Sequence, residues 1–145
     1  DDERYMATIA FEGALAYPVK YDDLSIGADN VIVLRLAEMY LIRAEAQAML
    51  QGDVTAIQDD INVVRGRAGL PDTEASDHGE LLLAIEEERR VEFAFEGHRW
   101  FDLVRTGRAV EVLVNVNDED QTLFPIPLEE ILTNKSPGMR QNDGY

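Results

Sequence analysis

Apolar positions recur at helical spacing through the middle of the chain. From Val31 to Leu50 they run almost all round, with Ala37, Tyr40, Leu41, Ala44 and Ala48 on one face, which predicts a helix that a neighbour can approach closely over its small residues. Gly52 is placed to end it and Asp53 to cap a second helix, in which Ile57, Ile61 and Val64 keep the spacing until Gly69 and Pro71 break it. Two antiparallel helices joined by "QGD" are expected. Asp77 and Glu80 form a candidate capping box for a third helix, Leu81 to Glu96, and Gly97 separates it from a short fourth, His98 to Arg105. This layout of helix, turn, helix and proline has the size of a tetratricopeptide unit, although the aromatic positions of that repeat are poorly matched.

The pattern fails at both ends. Residues 1–30 mix short apolar runs with glycine and proline and read as an extended or loop lead-in, ahead of a helical core over residues 31–116. Residues 117–145 hold the acidic loop "NDEDQ", then "TLFPIPLEEI", where Pro125 and Pro127 forbid a central strand and favour an extended edge entering a short helical turn. The turn-rich ending "NKSPGMRQNDGY" needs neighbours to pin it. The expected fold class is mostly α: tetratricopeptide-like helical hairpins with extended or loop segments at both ends. Because the chain opens on Asp1 rather than methionine, all of this is expected to be one piece of a longer protein.

Charge narrows the functions. A formal net charge of -16 on 145 residues repels nucleic acid and anionic lipid, so neither is an expected partner. Arginine nonetheless outnumbers lysine eleven to two, and Glu88 to Arg108, "ERRVEFAFEGHRWFDLVRTGR", holds five of the arginines with four aromatic rings. Planar guanidinium forks suit bidentate pairing with carboxylates, which points to ion pairs inside the protein. Without cysteine there is no disulfide, thiolate nucleophile or cysteine-bound metal.

On a helical wheel Leu81, Ala84, Ile85, Val91 and Phe95 define an apolar arc, and Glu88 and Glu92 fall inside it. Two acids in that position could do general acid–base work in a hydrolase or form half of a metal site. They could equally be structural, because buried carboxylates need cations and Arg35, Arg43, Arg65, Arg67, Arg89 and Arg99 lie in neighbouring elements. The structural network is the expected reading. His78 and His98 lack the acid or histidine partners of helical metal motifs, so no metal is expected. The "NVNDEDQ" loop offers oxygens to calcium but lacks the glycine and final glutamate of the helical calcium loop; a solvated loop is the simpler reading, and no other cofactor is implied. Trp100 and Phe101 are expected in the core, whereas Tyr17 and Tyr21 sit in a non-helical, exposed segment and are better placed to face a ligand.

Together "VLRLAEMYLIRAEA", "INVVRGRAGLP", "AIEEERRVEFAFEGHRWFDLVRTGR" and "FPIP" followed by "QNDGY" resemble the C-terminal region of the SusD/RagB family. The resemblance implies a non-catalytic, lipid-anchored nutrient-binding protein on the extracellular face of the outer membrane, its lipid carried by an N-terminal cysteine absent here. It also implies a SusC-like TonB-dependent transporter as partner and an oligosaccharide as ligand. The family's signature positions, here Glu88, Arg89, Glu92, Phe93, Glu96, Gly97, Arg99, Trp100, Asp102 and Arg105, are expected to be scaffold. Helix-neighbour pairs Glu86–Arg90, Arg89–Glu92 and Arg99–Asp102 are expected, with Glu88 and Glu92 meeting arginines from other elements. Which residues touch the ligand stays open, with Tyr17, Tyr21 and Trp100 as candidates. The rival class is a tetratricopeptide-like adaptor that binds protein through a helical face.

Overall fold

The computed structural model describes residues 2–23 and 25–145, and the chain divides into two compact units, Asp1–Arg99 and Trp100–Tyr145. The first is built on three helices, α2 (Leu36–Met49), α3 (Val54–Arg67) and α4 (His78–Glu92). Their spacing puts Ala44, Ala48, Ile57, Ile61, Leu81 and Ile85 into one buried cluster, and Leu41, Val64 and Phe93 into a second. Alanine at two α2 positions lets α3 and α4 pack closely, as expected from the small-residue face.

Caps set the boundaries. Asp53 accepts from the Thr55 amide at 3.1 Å to start α3, and Asp77 accepts from the Glu80 amide at 2.9 Å to start α4. The reciprocal half of the expected capping box is displaced by one residue, because the Glu80 carboxylate accepts from the Ser76 amide at 2.8 Å. At the end of α2 the left-handed residue is Gln51 (φ 57), while the Gly52 amide donates to Gln47 O at 2.8 Å. Gly69 closes α3 at φ 72, and a Cβ there would stand 2.9 Å from Glu3 Oε1. Gly69→Ala is therefore expected to lose about 1–3 kcal/mol from strained backbone and a displaced Glu3, read as a lower midpoint in a denaturant titration.

Several expected boundaries move, among them the start of α4, at His78 and not Leu81, and of the next helix, at Arg99 and not His98. The lead-in is not all extended or loop: α1 (Glu3–Thr8), capped by Asp2 on the Arg4 amide at 2.9 Å, precedes a hairpin of β1 (Ile9–Glu12) and β2 (Leu15–Pro18). The strands pair antiparallel with Glu12 opposite Leu15 and Ile9 opposite Pro18. The first core helix starts at Leu36, not Val31, because Arg35 stays extended (φ -139, ψ 147) and sends its side chain to the end of α4. The run Val31–Ile32–Val33 before it is β-branched and poorly suited to helix. Finally, α4 ends at Glu92, not Glu96, and turns follow up to Gly97, with Phe95 left-handed at φ 65. That unwinding frees the Ala94 carbonyl to accept from Lys20 Nζ at 3.2 Å and delivers Glu96 to Lys20 and Arg35.

The second unit carries α5 (Arg99–Arg105, whose first residue closes the other unit), α6 (Ala109–Val112), a 3-10 turn at Glu119–Thr122 and α7 (Leu128–Thr133). Its C-terminal residues pin the proline segment, as the sequence required. Gln141 brackets Ile126 like a strand partner, accepting from its amide at 2.7 Å and donating to its carbonyl at 2.9 Å. Asn142 Nδ2 donates to Phe124 O at 2.7 Å and the Tyr145 hydroxyl to Leu123 O at 3.0 Å. Proline cannot donate to a ladder, so side-chain amides supply the pairing that the "FPIP" backbone lacks.

Candidate functional site

Glu88 and Glu92 stand one helical turn apart on the buried face of α4, and the unwound turn brings Glu96 beside them. Their side chains keep only 3%, 1% and 1% of their exposure, so three carboxylates share a region from which water is excluded. Charge there must be matched or lost. Arg4 Nη1 reaches both Glu88 Oε1 at 2.5 Å and Glu92 Oε2 at 3.0 Å. Arg65 takes Glu88 Oε2 at 3.3 Å, Arg35 takes Glu92 Oε1 at 2.5 Å with Arg67 on the same oxygen, and Glu96 is shared by Arg35 at 3.0 Å and Lys20.

Every oxygen of the three acids thus faces a cation. Burial alone would raise the Glu92 carboxyl, but the hydrogen bonds from Arg4 and Arg35 and the charges of Arg35 and Arg67 outweigh it and hold the group below its ordinary value. The Arg4 guanidinium is shifted oppositely: burial lowers it, and its bonds to Asp2 and Glu92 with the Glu88 charge raise it further. A general acid needs a raised pKa and a nucleophile needs an open lone pair. Glu92 has neither, and its geometry is that of an ion-pair network.

Other charged side chains complete the scaffold. Arg43 forks onto buried Asp60 at 2.8 and 2.5 Å, tying α2 to α3. The guanidinium carbons of Arg35 and Arg89 lie 4.9 and 5.0 Å from the Phe93 ring centre, and His98 stacks on that ring at 4.7 Å. The expected helix-neighbour pairs are corrected. Arg90 pairs with Glu87 where Glu86 was expected, Arg99 pairs with Glu86 where Asp102 was expected, and Asp102 meets Arg105 at 2.8 Å, while Glu92 binds arginines from other elements as expected. Helical spacing allows several such pairs, and the end of α4 at Glu92 selects among them. Arg4 and Lys20 were missed altogether; their one signal is that they are the only basic residues in the first 34 positions.

The aromatic candidates are spread along the chain. Tyr17 lies on β2 opposite Ala10 and is 42% exposed. Tyr21 is half-buried, its hydroxyl 3.5 Å from the Ile32 amide. Trp100 is half-buried in the second unit, and Phe101 beside it is 70% exposed, against the expectation that both belong to the core. In the acidic loop Asp118 accepts from the Asp120 amide at 3.1 Å and Gln121 closes a capping box. His78 Nε2 lies 2.8 Å from Gly52 O, and among the described residues no group of three His, Asp or Glu is arranged to hold a metal ion.

Residues 16–145 match the SusD family model, from the Tyr17 strand through the carboxylate cluster to the last tyrosine. The chain belongs to the SusD family. A SusD-like protein of Formosa agariphila is 33% identical over 99% of this chain, and the chain spans 32% of that relative. Among solved structures, a SusD-like protein of Bacteroides fragilis superimposes with a TM-score of 0.69 at 34% identity, over 80% of this chain and 26% of that one. A laminarin-binding SusD-like protein gives 0.62 at 43% identity, over 79% and 23% of the two chains. Surface glycan-binding protein A of Bacteroides thetaiotaomicron gives 0.67 at 35% identity, over 79% and 25%. This SusD-family chain therefore spans about a quarter to a third of the relatives it matches.

Proposed function

We propose that this SusD-family chain is part of a non-catalytic protein that captures oligosaccharides at the outer surface of the outer membrane. There it would serve a SusC-like TonB-dependent transporter, with no cofactor involved. The observation that carries the reading is family membership, supported by similarity to a laminarin-binding protein and to a surface glycan-binding protein. The cation-saturated carboxylates add to it, because the acids that would cleave a glycoside are committed to arginines. In this reading α2–α4 and their network are scaffold, and ligand contact falls to exposed rings such as Tyr17, with Tyr21 and Trp100 as further candidates.

Calorimetric titration of laminarin oligosaccharides, followed by product analysis after long incubation, tests this. Saturable binding without new reducing ends is expected, and Tyr17→Ala is expected to weaken binding roughly tenfold, as loss of one stacking ring does. Release of sugar would overturn the non-catalytic reading, and silence towards laminarin and a broad glycan set would overturn glycan capture by these residues. The adaptor reading has its own support in Leu36 at 71% and Met39 and Ile42 at 47% exposure, an apolar stripe on α2. Binding of a SusC-like extracellular surface in place of any glycan would favour it.

A further inference from the structure

No residue from Asp2 to Lys20 is buried, yet this segment of helix and hairpin lies ordered against the core of its unit. Its apolar packing is limited to half-buried Ile9, Ala10 and Val19. The Tyr5 and Phe11 rings meet at a tilt of 49° with centres 6.0 Å apart within the segment, and Met6, Leu15 and Tyr17 are exposed. Its polar ties to α3, α4 and the turns that follow them rest chiefly on two cations. Arg4 reaches Glu88 and Glu92, Lys20 reaches Glu96 and the Ala94 carbonyl, and the Glu3 amide donates to Ala68 O at 3.1 Å. Residues 21–23 and 25–35, which join it to α2, contain no helix or strand.

We infer that residues 2–20 form a strap held down by two electrostatic pins, Arg4 and Lys20, and that it lifts from the end of α4 when acid discharges the carboxylates beneath them. The groups facing the pins are Asp2 beside Arg4, Glu88, Glu92 and Glu96 from α4 and its following turn, Arg35 before α2, and Arg65 and Arg67 from α3, with Glu87 of α4 also within the field of Arg4. The two sides respond unequally to loss of a pin. Without Arg4, Glu88 keeps Arg65 and Glu92 keeps Arg35 and Arg67; without Lys20, Glu96 keeps Arg35. The core acids stay partnered while the strap loses its hold. A two-stranded hairpin alone is marginal in water, so a lifted strap also loses its own pairing.

Hydrogen exchange read by mass spectrometry on the chain distinguishes release of the strap from global unfolding. In Arg4→Met and in Lys20→Met, amides of the β1–β2 hairpin are expected to exchange roughly tenfold faster or more, with α2–α4 protection unchanged, since the strap opens locally while the acids beneath it keep their other cations. In the unsubstituted chain, with rates corrected for intrinsic chemistry, hairpin protection is expected to fall at a higher pH than that of α2–α4. Hairpin protection unchanged in both variants, or hairpin and helices losing protection together in the variants or at one common pH, would overturn the strap.

Discussion

Glu92→Ala is expected to cost about 3 kcal/mol of stability, near the lower end of the range for breaking a buried ion pair. The side chain is 1% exposed and binds Arg4, Arg35 and Arg67 at once, so its removal leaves three guanidinium groups around an apolar hole. Two features hold the cost down. Arg67 is 57% exposed and can turn to water, and Arg4 and Arg35 keep Glu88 and Glu96. Denaturant unfolding followed by the helical circular dichroism band checks the figure. An unfolding free energy within a few tenths of a kcal/mol of the parent would mean that the network is decorative.

Acid should undo the same network. Glu92 and Asp2 are both held below their ordinary values, Glu92 by Arg4 and Arg35 against the pull of burial, Asp2 first by the Arg4 side chain. A carboxyl lowered in the folded state binds fewer protons there than in the unfolded chain, so stability rises with pH across the interval between the two values. The contribution is complete above the ordinary Glu value of 4.5 and is lost as pH falls through the depressed folded value. Surface repulsion runs the other way, because the net charge of -16 relaxes as pH approaches the isoelectric point near 4.3. Thermal midpoints are therefore expected to be flat or slightly rising from pH 7 to about 5, then to drop steeply below about 4.5. A midpoint that keeps climbing to pH 3 would show that repulsion, not the network, governs acid behaviour.

The helices were legible where burial has a period. Leu41, Ala44, Ile57, Ile61, Val64, Leu81 and Ile85 are all buried, as their spacing required, because packing three helices demands one continuous apolar stripe on each. Glu88 and Glu92 inside the α4 stripe announced a buried ion network, and the network is there. Its membership was harder to read. Which arginine meets which acid depends on where the chain stops being helical, and the boundaries at Arg35 and Glu92, on either side of the pairing between Arg35 and Glu96, differ from those that apolar spacing suggests. The six-residue α1 has no buried face to give it a period, so Arg4, the residue that ties it to α4, looked like part of a loop. Phe101 failed differently. Its position beside Leu103 and Val104 resembles a core position, yet the ring is 70% exposed on a helix too short to bury every side.

The buried carboxylates of α4 are neutralised by arginines within the protein and are not held ready for chemistry. A double-mutant cycle on Arg35→Met and Glu92→Gln, read by denaturant unfolding, addresses this directly. The pair is 2.5 Å apart with the acid fully buried, and a coupling of about 1 kcal/mol or more is expected between the two substitutions. Additive losses, within about 0.3 kcal/mol of the sum of the single variants, would contradict internal neutralisation and return Glu92 to the list of residues kept for another purpose.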